Sequence, residues 1–590
     1  MTTALDRAIK VLARAGAPKD TFGKIVTAHG GASRAAAAVA ADPYGALADV
    51  VPIEVVDRVA VAFGVSLGDR AAGHAAWLIA DRARAGHSSV STSFATARLR
   101  FAMELPEVTV REGIAAAVRG GKLIAVAGGL TTPKQRQKDT GIAQEIARRR
   151  RAAPHPAVAD ALRTPPGTLS EPQLAALRVV SRSLLSVITG GPGTGKSEVV
   201  RTAVEACLVA ALEVRVTAPT GRAARNTSGR TVHYFKAIQE LGKNEFRDAA
   251  LIIVDEASML TTDLMAVIFE LAPRGAHILL VGDVDQLPPV GVGDVLRDVI
   301  DTGACPVVRL EENFRSTSGI CQFASGVLHG RIEGLGDTDE IELVECETYD
   351  GVLDAAAPLG CVILTPHNVT RLLLNKATQM YRRLADGELE ITLARDFPDH
   401  PRGTEGLASM DAATGMIDIV ADGGLAIRAT LRAAVDLVVA SSSEVRGGVL
   451  TEGDMAIRPD DRVIVTKNMP CGVCNGDTGT MVSSSSRGTR VLLDDDRGEV
   501  LIPHDAQGTV RGVLTLAYAI TVHKAQGSEF DVVALPLVNH GSWDRSLLYT
   551  ACTRAKKKVI LLGTRDALEA IVRSERPRRT TTLRDLLVFD

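Results

Sequence analysis

A chain of 590 residues, 46% hydrophobic and 23% charged, is too long for one hydrophobic core and too apolar to be disordered, so roughly three or four folded domains are expected. Aromatic residues make up only 3%, which argues against an aromatic-rich β-sandwich and for Ala- and Val-rich helices packed on parallel strands. The net charge of −3 neither supports nor excludes nucleic acid, because basic residues gathered in one groove suffice for that.

Met1–Gly16 is interrupted by Lys10 and Arg14 and lacks the apolar core of a signal peptide. No apolar stretch is long enough to span a bilayer. The eight cysteines are dispersed, and the one close pair, Cys471 and Cys474, has no second pair beside it to complete a zinc site. A reduced, cytoplasmic protein without membrane attachment is the expectation. Residues 1–150 read as an Ala-rich helical region ending in the basic run Arg148–Arg151. The segment Arg151–Gly167, with Pro154, Pro156, Pro165 and Pro166, reads as a linker.

Strand-like Leu184–Thr189, Glu213–Ala218, Leu251–Val254 and His277–Val281 then alternate with helical stretches. That is the pattern of buried parallel strands with helical crossovers, and it assigns residues 151–335 to a first α/β domain. A second, 336–590, has core-strand candidates at Cys361–Thr365, Leu514–Ala519 and Val532–Pro536. An insertion at about residues 390–512 interrupts it. Residues 385–450 are Gly-rich and weakly periodic, whereas Met455–Pro503 alternates at Arg462–Thr466 and turns at Asn475-Gly476 and Asp477–Gly479, which suggests a small β-barrel.

Gly190-Gly191-Pro192-Gly193-Thr194-Gly195-Lys196-Ser197 matches G-x-x-x-x-G-K-[ST] in full and lies between a strand and the helical Glu198–Ala211. Glycines let backbone amides turn inward around phosphate oxygens, and the following helix N-terminus adds positive potential. Gly191, Pro192, Gly193, Thr194 and Gly195 are therefore expected to cradle the phosphates of ATP. Lys196 would reach the β- and γ-phosphates and Ser197 would hold Mg²⁺. Asp255 and Glu256 close an aliphatic strand, Asp255 suited to the Mg²⁺ shell and Glu256 to orienting or deprotonating the attacking water. In Gly282-Asp283-Val284-Asp285-Gln286, Gln286 is placed to sense a γ-phosphate.

These strings together resemble superfamily-1 helicases, specifically the RecD-like group that moves 5′→3′ on single-stranded DNA. Ser170-Glu171-Pro172-Gln173 resembles its adenine-reading motif, Thr217–Ala224 its motif Ia, and Leu310–Thr317 its motif IV, with Arg315 as a phosphate-contacting arginine. Thr521–Phe530 resembles motif V, carrying Gly527 and Glu529 toward the nucleotide, and Leu548–Ala555 resembles motif VI, with Arg554 as the arginine finger. The resemblance implies an α/β protein of two RecA-like P-loop motor domains with parallel sheets, a helical N-terminal region and an inserted small SH3-like β-barrel. It also implies strand-contacting roles for Pro219, Thr220, Arg222, His233, Thr521 and His523, and for Asn475 in the inserted barrel. Asn475-Gly476 reads equally as a tight hairpin turn, and His233 as a surface histidine.

The N-terminal Ala41–Tyr44, Val55–Phe63, Gly86-His87 and Leu130–Arg149 resemble the front end of the longer, stand-alone members, with a helix-hairpin-helix and a winged-helix-like unit. Where those carry a Gly-centred turn, this chain has Val51-Pro52-Ile53-Glu54, a degenerate version. Gln239–Asp248 leaves room for only a short pin of the kind that splits duplex. The expected partners are single-stranded and 5′-tailed duplex DNA, with recombination or single-strand-binding proteins as further candidates, and the chain is expected to act as a monomer in repair or recombination. A single-strand translocase, an accessory motor subunit and a non-motor P-loop switch are the alternatives.

Overall fold

The structure is a computed structural model that describes residues 4–47, 50–127, 129–311, 319–387, 389–398, 400–402, 404–422, 424–440, 449–450, 456–485, 487–495, 497–504, 512–538, 540–575 and 578–588. Arg315, with most of its motif, lies outside the described residues. Among the described residues no helix is long and apolar enough to cross a membrane.

The first α/β unit is built on six parallel strands in the order Arg230–Thr231, Val214–Ala218, Leu251–Val254, His277–Gly282, Leu185–Gly190 and Val307–Leu310. Its three central strands are buried along their whole length, as both faces of a parallel sheet must be when helices cover them. The period of two along each strand divides their side chains between two cores. Ile252, Val254, Ile278 and Leu280 face helix Thr262–Leu271. Leu251, Ile253, Leu279 and Val281 face helices Glu171–Val180 and Lys196–Val209.

One element from outside the expected span and one from the expected linker complete these cores. Helix Pro133–Arg151, expected within the N-terminal region, packs on the first sheet through Ile142, Ala143 and Ile146. The proline-rich linker folds a helix, Pro156–Arg163, with Pro156 at its first turn, where a missing amide costs nothing. That helix buries Val158 and Leu162 on the opposite face.

The second unit has five parallel strands in the order Ile341–Glu345, Ala555–Gly563, Phe530–Pro536, Val362–Thr365 and Ala519–Thr521. The single strand expected over Leu514–Ala519 is two: Leu514–Leu516 pairs within the insertion, and Ala519–Thr521 pairs within the parallel sheet of the second unit.

The insertion contains two antiparallel five-stranded sheets. The weakly periodic stretch after 385 forms the first, from Leu389–Leu393 through Glu405–Met410, Ile417–Ala421 and Leu425–Ala429, with Val438–Ala440 on its other edge. Its Ile391, Leu393, Ile417 and Ile419 join the core of the second unit's parallel sheet, so the stretch is ordered by packing that no local pattern announces. The second runs Glu499–Ile502, Gly488–Leu493, Thr478–Ser485, Arg462–Val465, Leu514–Leu516 around Val463, Met481, Val491 and Ile502. No pairing joins its two edge strands among the described residues.

Helices Ala4–Arg14, Thr21–His29, Ala32–Ala41, Pro43–Leu47 and Ile53–Ala62 share one N-terminal core. Helices Leu67–Arg84, Thr92–Met103 and Glu107–Arg119 form another beside the small sheet Val90–Ser91, Gly129–Thr131, Ile124–Val126. The C-terminal tail returns to the first unit, where helix Thr582–Leu586 packs Leu583 and Leu587 into its core.

Candidate nucleotide site between the two sheets

The P-loop leaves strand Leu185–Gly190 and enters helix Lys196–Val209. Gly193 and Gly195 hold φ of 77° and 78°, the left-handed region that a side chain disfavours. Gly190 is fixed by space instead, because a Cβ there would stand 2.5 Å from the Leu310 carbonyl oxygen. Thr194 Oγ1 donates to the Gly191 carbonyl at 2.9 Å, which closes the turn. Lys196 Nζ donates to the carbonyls of Gly190 and Gly191 at 2.6 and 2.7 Å.

Around this loop lies a cavity of about 1010 Å³. The first unit lines it with Gln173, Pro192–Ser197, Arg222, Asp255, Glu256, Asp283 and Gln286. The second contributes Gly527, Glu529, Thr553, Arg554 and Lys556. Gln173 is locked in a capping box, its Oε1 accepting from the Ser170 amide at 3.0 Å. Arg554 is 5% exposed and spends its donors on the Thr550 carbonyl at 3.2 Å, the Ser528 carbonyl at 3.3 Å and Thr553 Oγ1 at 3.2 Å. Those short local bonds fix where its guanidinium stands. Glu529 faces Lys556 at 3.6 Å.

Burial dominates the electrostatics. It lowers the pKa of Lys196, opposed by the charges of Asp283, Glu256 and Asp255. The Asp255 carboxyl is held above the usual carboxylate range by burial first and by Glu256 second. Glu256 itself sits at φ 50° and ψ 42°, a left-handed backbone that costs a non-glycine residue about 1 kcal/mol. The donor set fits a nucleoside triphosphate: inward amides, a lysine and an arginine on one wall, with the Ser197 hydroxyl and the Asp255 carboxylate offering the oxygen ligands a divalent cation takes.

The residues expected to meet a strand sit at the ends of strands. Thr220, two residues beyond strand Val214–Ala218, and Thr521, the last residue of strand Ala519–Thr521, each cap the short helix that follows, Thr220 on the Ala223 amide at 3.3 Å and Thr521 on the Lys524 amide at 3.4 Å. Pro219 precedes the first of these caps, His523 lies within the second helix, and the exposed His233 follows a third such cap at Thr231. Arg222 lines the cavity around the P-loop, lies 6.0 Å from the Phe530 ring centre and donates to the Gly476 carbonyl at 3.4 Å. Asn475 is an exposed turn residue whose amide donates to Asn468 Oδ1 at 2.8 Å, in the loop that docks on Arg222 and Arg225. Segment 241–248 is a run of turns pinned by buried Phe246, with no hairpin strands.

Sequence reasoning passed over Asp283, although it lies in a quoted string, and Tyr549 and Lys556, although they flank Arg554. The signal for all three was proximity to residues already chosen.

Two parallel sheets, each the centre of an α/β unit, share one cavity around a P-loop. The AAA domain family matches residues 168–348 and the UvrD-like helicase C-terminal domain family matches 516–562. The chain is 31% identical to the ATP-dependent RecD2 DNA helicase of Deinococcus radiodurans over 431 residues, which cover 70% of this chain and 52% of that protein. It is 29% identical over 473 residues to the RecBCD enzyme subunit RecD of Mycobacterium tuberculosis, covering 72% and 74%. A crystal structure of Pif1 helicase from Candida albicans aligns with a TM-score of 0.41 at 18% identity, over 70% of this chain and 97% of that one. The chain is similar to RecD-type helicases over about 70% of its own length, and spans about half the length of the Deinococcus relative.

Proposed function

We propose that the protein is an ATP-dependent DNA helicase that translocates 5′→3′ on single-stranded DNA and unwinds 5′-tailed duplex in repair or recombination. The observation that carries this reading is Arg554 and Lys196 in one cavity wall, brought there by two separate sheets. A site completed by two bodies links its closure to their relative movement.

Lys196 and the amides of Gly191 and of residues 193–197 bind the β- and γ-phosphates, Gln173 reads the base, and Ser197 and Asp255 would hold Mg²⁺. The bound nucleotide supplies the phosphoryl group. Glu256 orients the attacking water and accepts its proton, and Arg554 places positive charge where the leaving phosphate develops its own. Gln286 reports the γ-phosphate to the motor interface. Pro219, Thr220, Arg222, His233, Thr521, His523 and Asn475 hold the strand without reading its sequence. Arg315 contributes a further phosphate contact. The inserted sheet over 462–516 acts as an SH3-like barrel beside the DNA, and residues 1–150, 151–335 and 336–590 work as front end, first motor and second motor.

ATP turnover with and without single-stranded DNA, followed by unwinding of 5′-tailed and 3′-tailed duplexes, tests the reading, with Lys196→Ala as control. Absence of stimulation by single-stranded DNA sinks it, and preference for the 3′ tail overturns the polarity. A second reading, a translocase that separates little duplex, draws on the turns at 241–248 where a splitting pin would stand. Stimulated turnover without unwinding favours it.

A further inference from the structure

The first helix carries a feature that the motor does not use. Arg7, Lys10 and Arg14 in helix Ala4–Arg14 are spaced three and four apart, so they share one helical face. Helix Ile53–Ala62 presents Arg58 to the same face. The four cations line a groove of about 460 Å³ whose remaining walls are Val11, Ala15 and Ala62, with no carboxylate.

The arrangement is built rather than a loose fringe of charge. Arg58 Nε donates to the Ala15 carbonyl at 3.0 Å, which fixes its stem, and the Arg7 guanidinium lies 5.2 Å from the Phe63 ring centre. Other surface cations of the N-terminal region are paired: Lys24 with Asp20 at 2.7 Å, Arg111 with Glu107 at 2.7 Å. Among the described residues Arg7, Lys10, Arg14 and Arg58 have no ion pair. The neighbouring acids Glu54 and Asp57 do not line the groove, and Asp57 is buried and bound to Arg70 at 2.5 Å.

We propose that this groove binds the phosphodiester backbone of DNA, as a second contact outside the motor; it rests on the reading of the chain as a DNA motor only for the choice of polyanion. Seven residues of helix place Arg7 and Arg14 about 10 Å apart, a reach of about three phosphates at the 3.4 Å rise of one strand. The lining offers no exposed aromatic on which a base would stack, so recognition goes to phosphate and not to sequence. Pro52, at the N-cap of helix Ile53–Ala62, has no amide to offer a phosphate. Side-chain cations one helix away take over that task.

The test uses the full chain, without nucleotide, and fluorescence anisotropy of a labelled single strand and a labelled blunt duplex across a series of KCl concentrations. The variant Arg7→Gln/Lys10→Gln/Arg14→Gln keeps polar stems at three exposed positions, and Arg119→Gln is the surface control. The expected result is a loss of DNA affinity of about tenfold or more and a fall of about 2 in the slope of log affinity against log salt, since each phosphate contact contributes about 0.7 to 0.9. Basal ATP turnover without DNA stays at the parent's rate. An unchanged slope and affinity overturn the proposal. Loss of affinity for a poly-glutamate peptide of equal charge, with DNA affinity intact, also overturns it and assigns the groove to an acidic protein. Binding is read apart from hydrolysis, so a parent that hydrolyses no ATP refutes the functional reading and leaves this result standing.

Discussion

The Tyr549 hydroxyl, from the second unit, donates to Asp283 Oδ2 of the first at 2.8 Å, and both residues are buried. The same carboxylate oxygen accepts from Gln286 Nε2 at 3.2 Å. One residue on, the Leu287 amide donates to Thr550 Oγ1 at 3.0 Å, and the Leu287 carbonyl accepts from Gln526 Nε2 at 3.4 Å. The stretch after strand His277–Gly282 is thus held by the second unit at Asp283 and at Leu287. The glutamine proposed to sense the γ-phosphate is positioned through Asp283 by a tyrosine of the other sheet.

Replacing Tyr549 with Phe removes the donor and keeps the ring. A hydrogen bond to a buried charged group contributes about 1.5 to 3 kcal/mol, so the coupling it carries falls by roughly tenfold or more. The expected outcome is DNA-stimulated ATP turnover reduced about tenfold, with the KM for ATP within about twofold of the parent because the phosphate-binding amides are untouched. Steady-state kinetics at saturating single-stranded DNA check this. A rise in KM at constant kcat would place Tyr549 in nucleotide binding instead.

Asp477 joins the insertion to the first unit. It is 3% exposed, pairs with Arg225 and with Arg497 at 2.7 Å, and accepts from the Cys474 amide at 2.8 Å. Both arginines keep about a third of their side chains in solvent, so they rehydrate when the carboxylate is lost and the cost of Asp477→Ala is about 1 to 2 kcal/mol, not that of a fully buried pair. The loss is local. Hydrogen exchange is expected to speed up over 474–479 and 221–227 while the amides of strand Leu185–Gly190 keep their protection.

The motor sheets were legible because a parallel sheet covered on both faces writes itself as aliphatic runs. Leu251–Val254 is expected and observed with the same ends. The P-loop was legible because its backbone demands glycine at 193 and 195. The first inserted sheet was not, since its order comes from packing Ile391 and Ile417 on the second motor sheet, a contact between distant segments. The place of Arg222 was unreadable for a related reason: a motif gives a residue's neighbours in the chain, and only the fold shows that the cavity lies beside it. Tyr549 and Asp283 were readable as letters of motifs but not as a pair, because their bond joins two domains.

The C-terminal tail ties three bodies together. Arg579 donates to the carbonyls of Pro289, Gly291 and Gly293 at 2.7, 3.0 and 2.6 Å, just beyond the Gln286 loop. Thr580 and Thr582 bond to His87, Ser88 and Ser89 of the N-terminal region. Arg579→Ala leaves three carbonyls without these donors, so the N-terminal region is expected to loosen from the first unit. Limited proteolysis should then cut near residues 575–580 faster than in the parent, and an unchanged cleavage rate there argues against the tail as a clamp.

Two buried groups of the first unit give its stability opposite pH dependences. His277 is fully buried, its Nε2 accepting from the His155 amide at 2.9 Å, and burial lowers its pKa to about 4. A depressed histidine contributes stability that is complete above its unfolded value near 6.5 and is lost as pH falls toward 4, about 3 kcal/mol in all. Asp298 is pushed the other way, up to about 8, by burial in helix Val295–Asp301. Its contribution is complete below the unfolded value of 3.8 and is lost as pH rises to 8. Asp298→Asn, which buries a neutral amide of the same shape, should therefore raise the melting temperature at pH 8 and leave it nearly unchanged at pH 4. His277→Gln should flatten the acid limb between pH 6.5 and 4 and leave the pH 8 difference in place. Thermal melts of the two variants across that range separate the groups, and an Asn variant that gains as much at pH 4 as at pH 8 would show that Asp298 is ionised throughout.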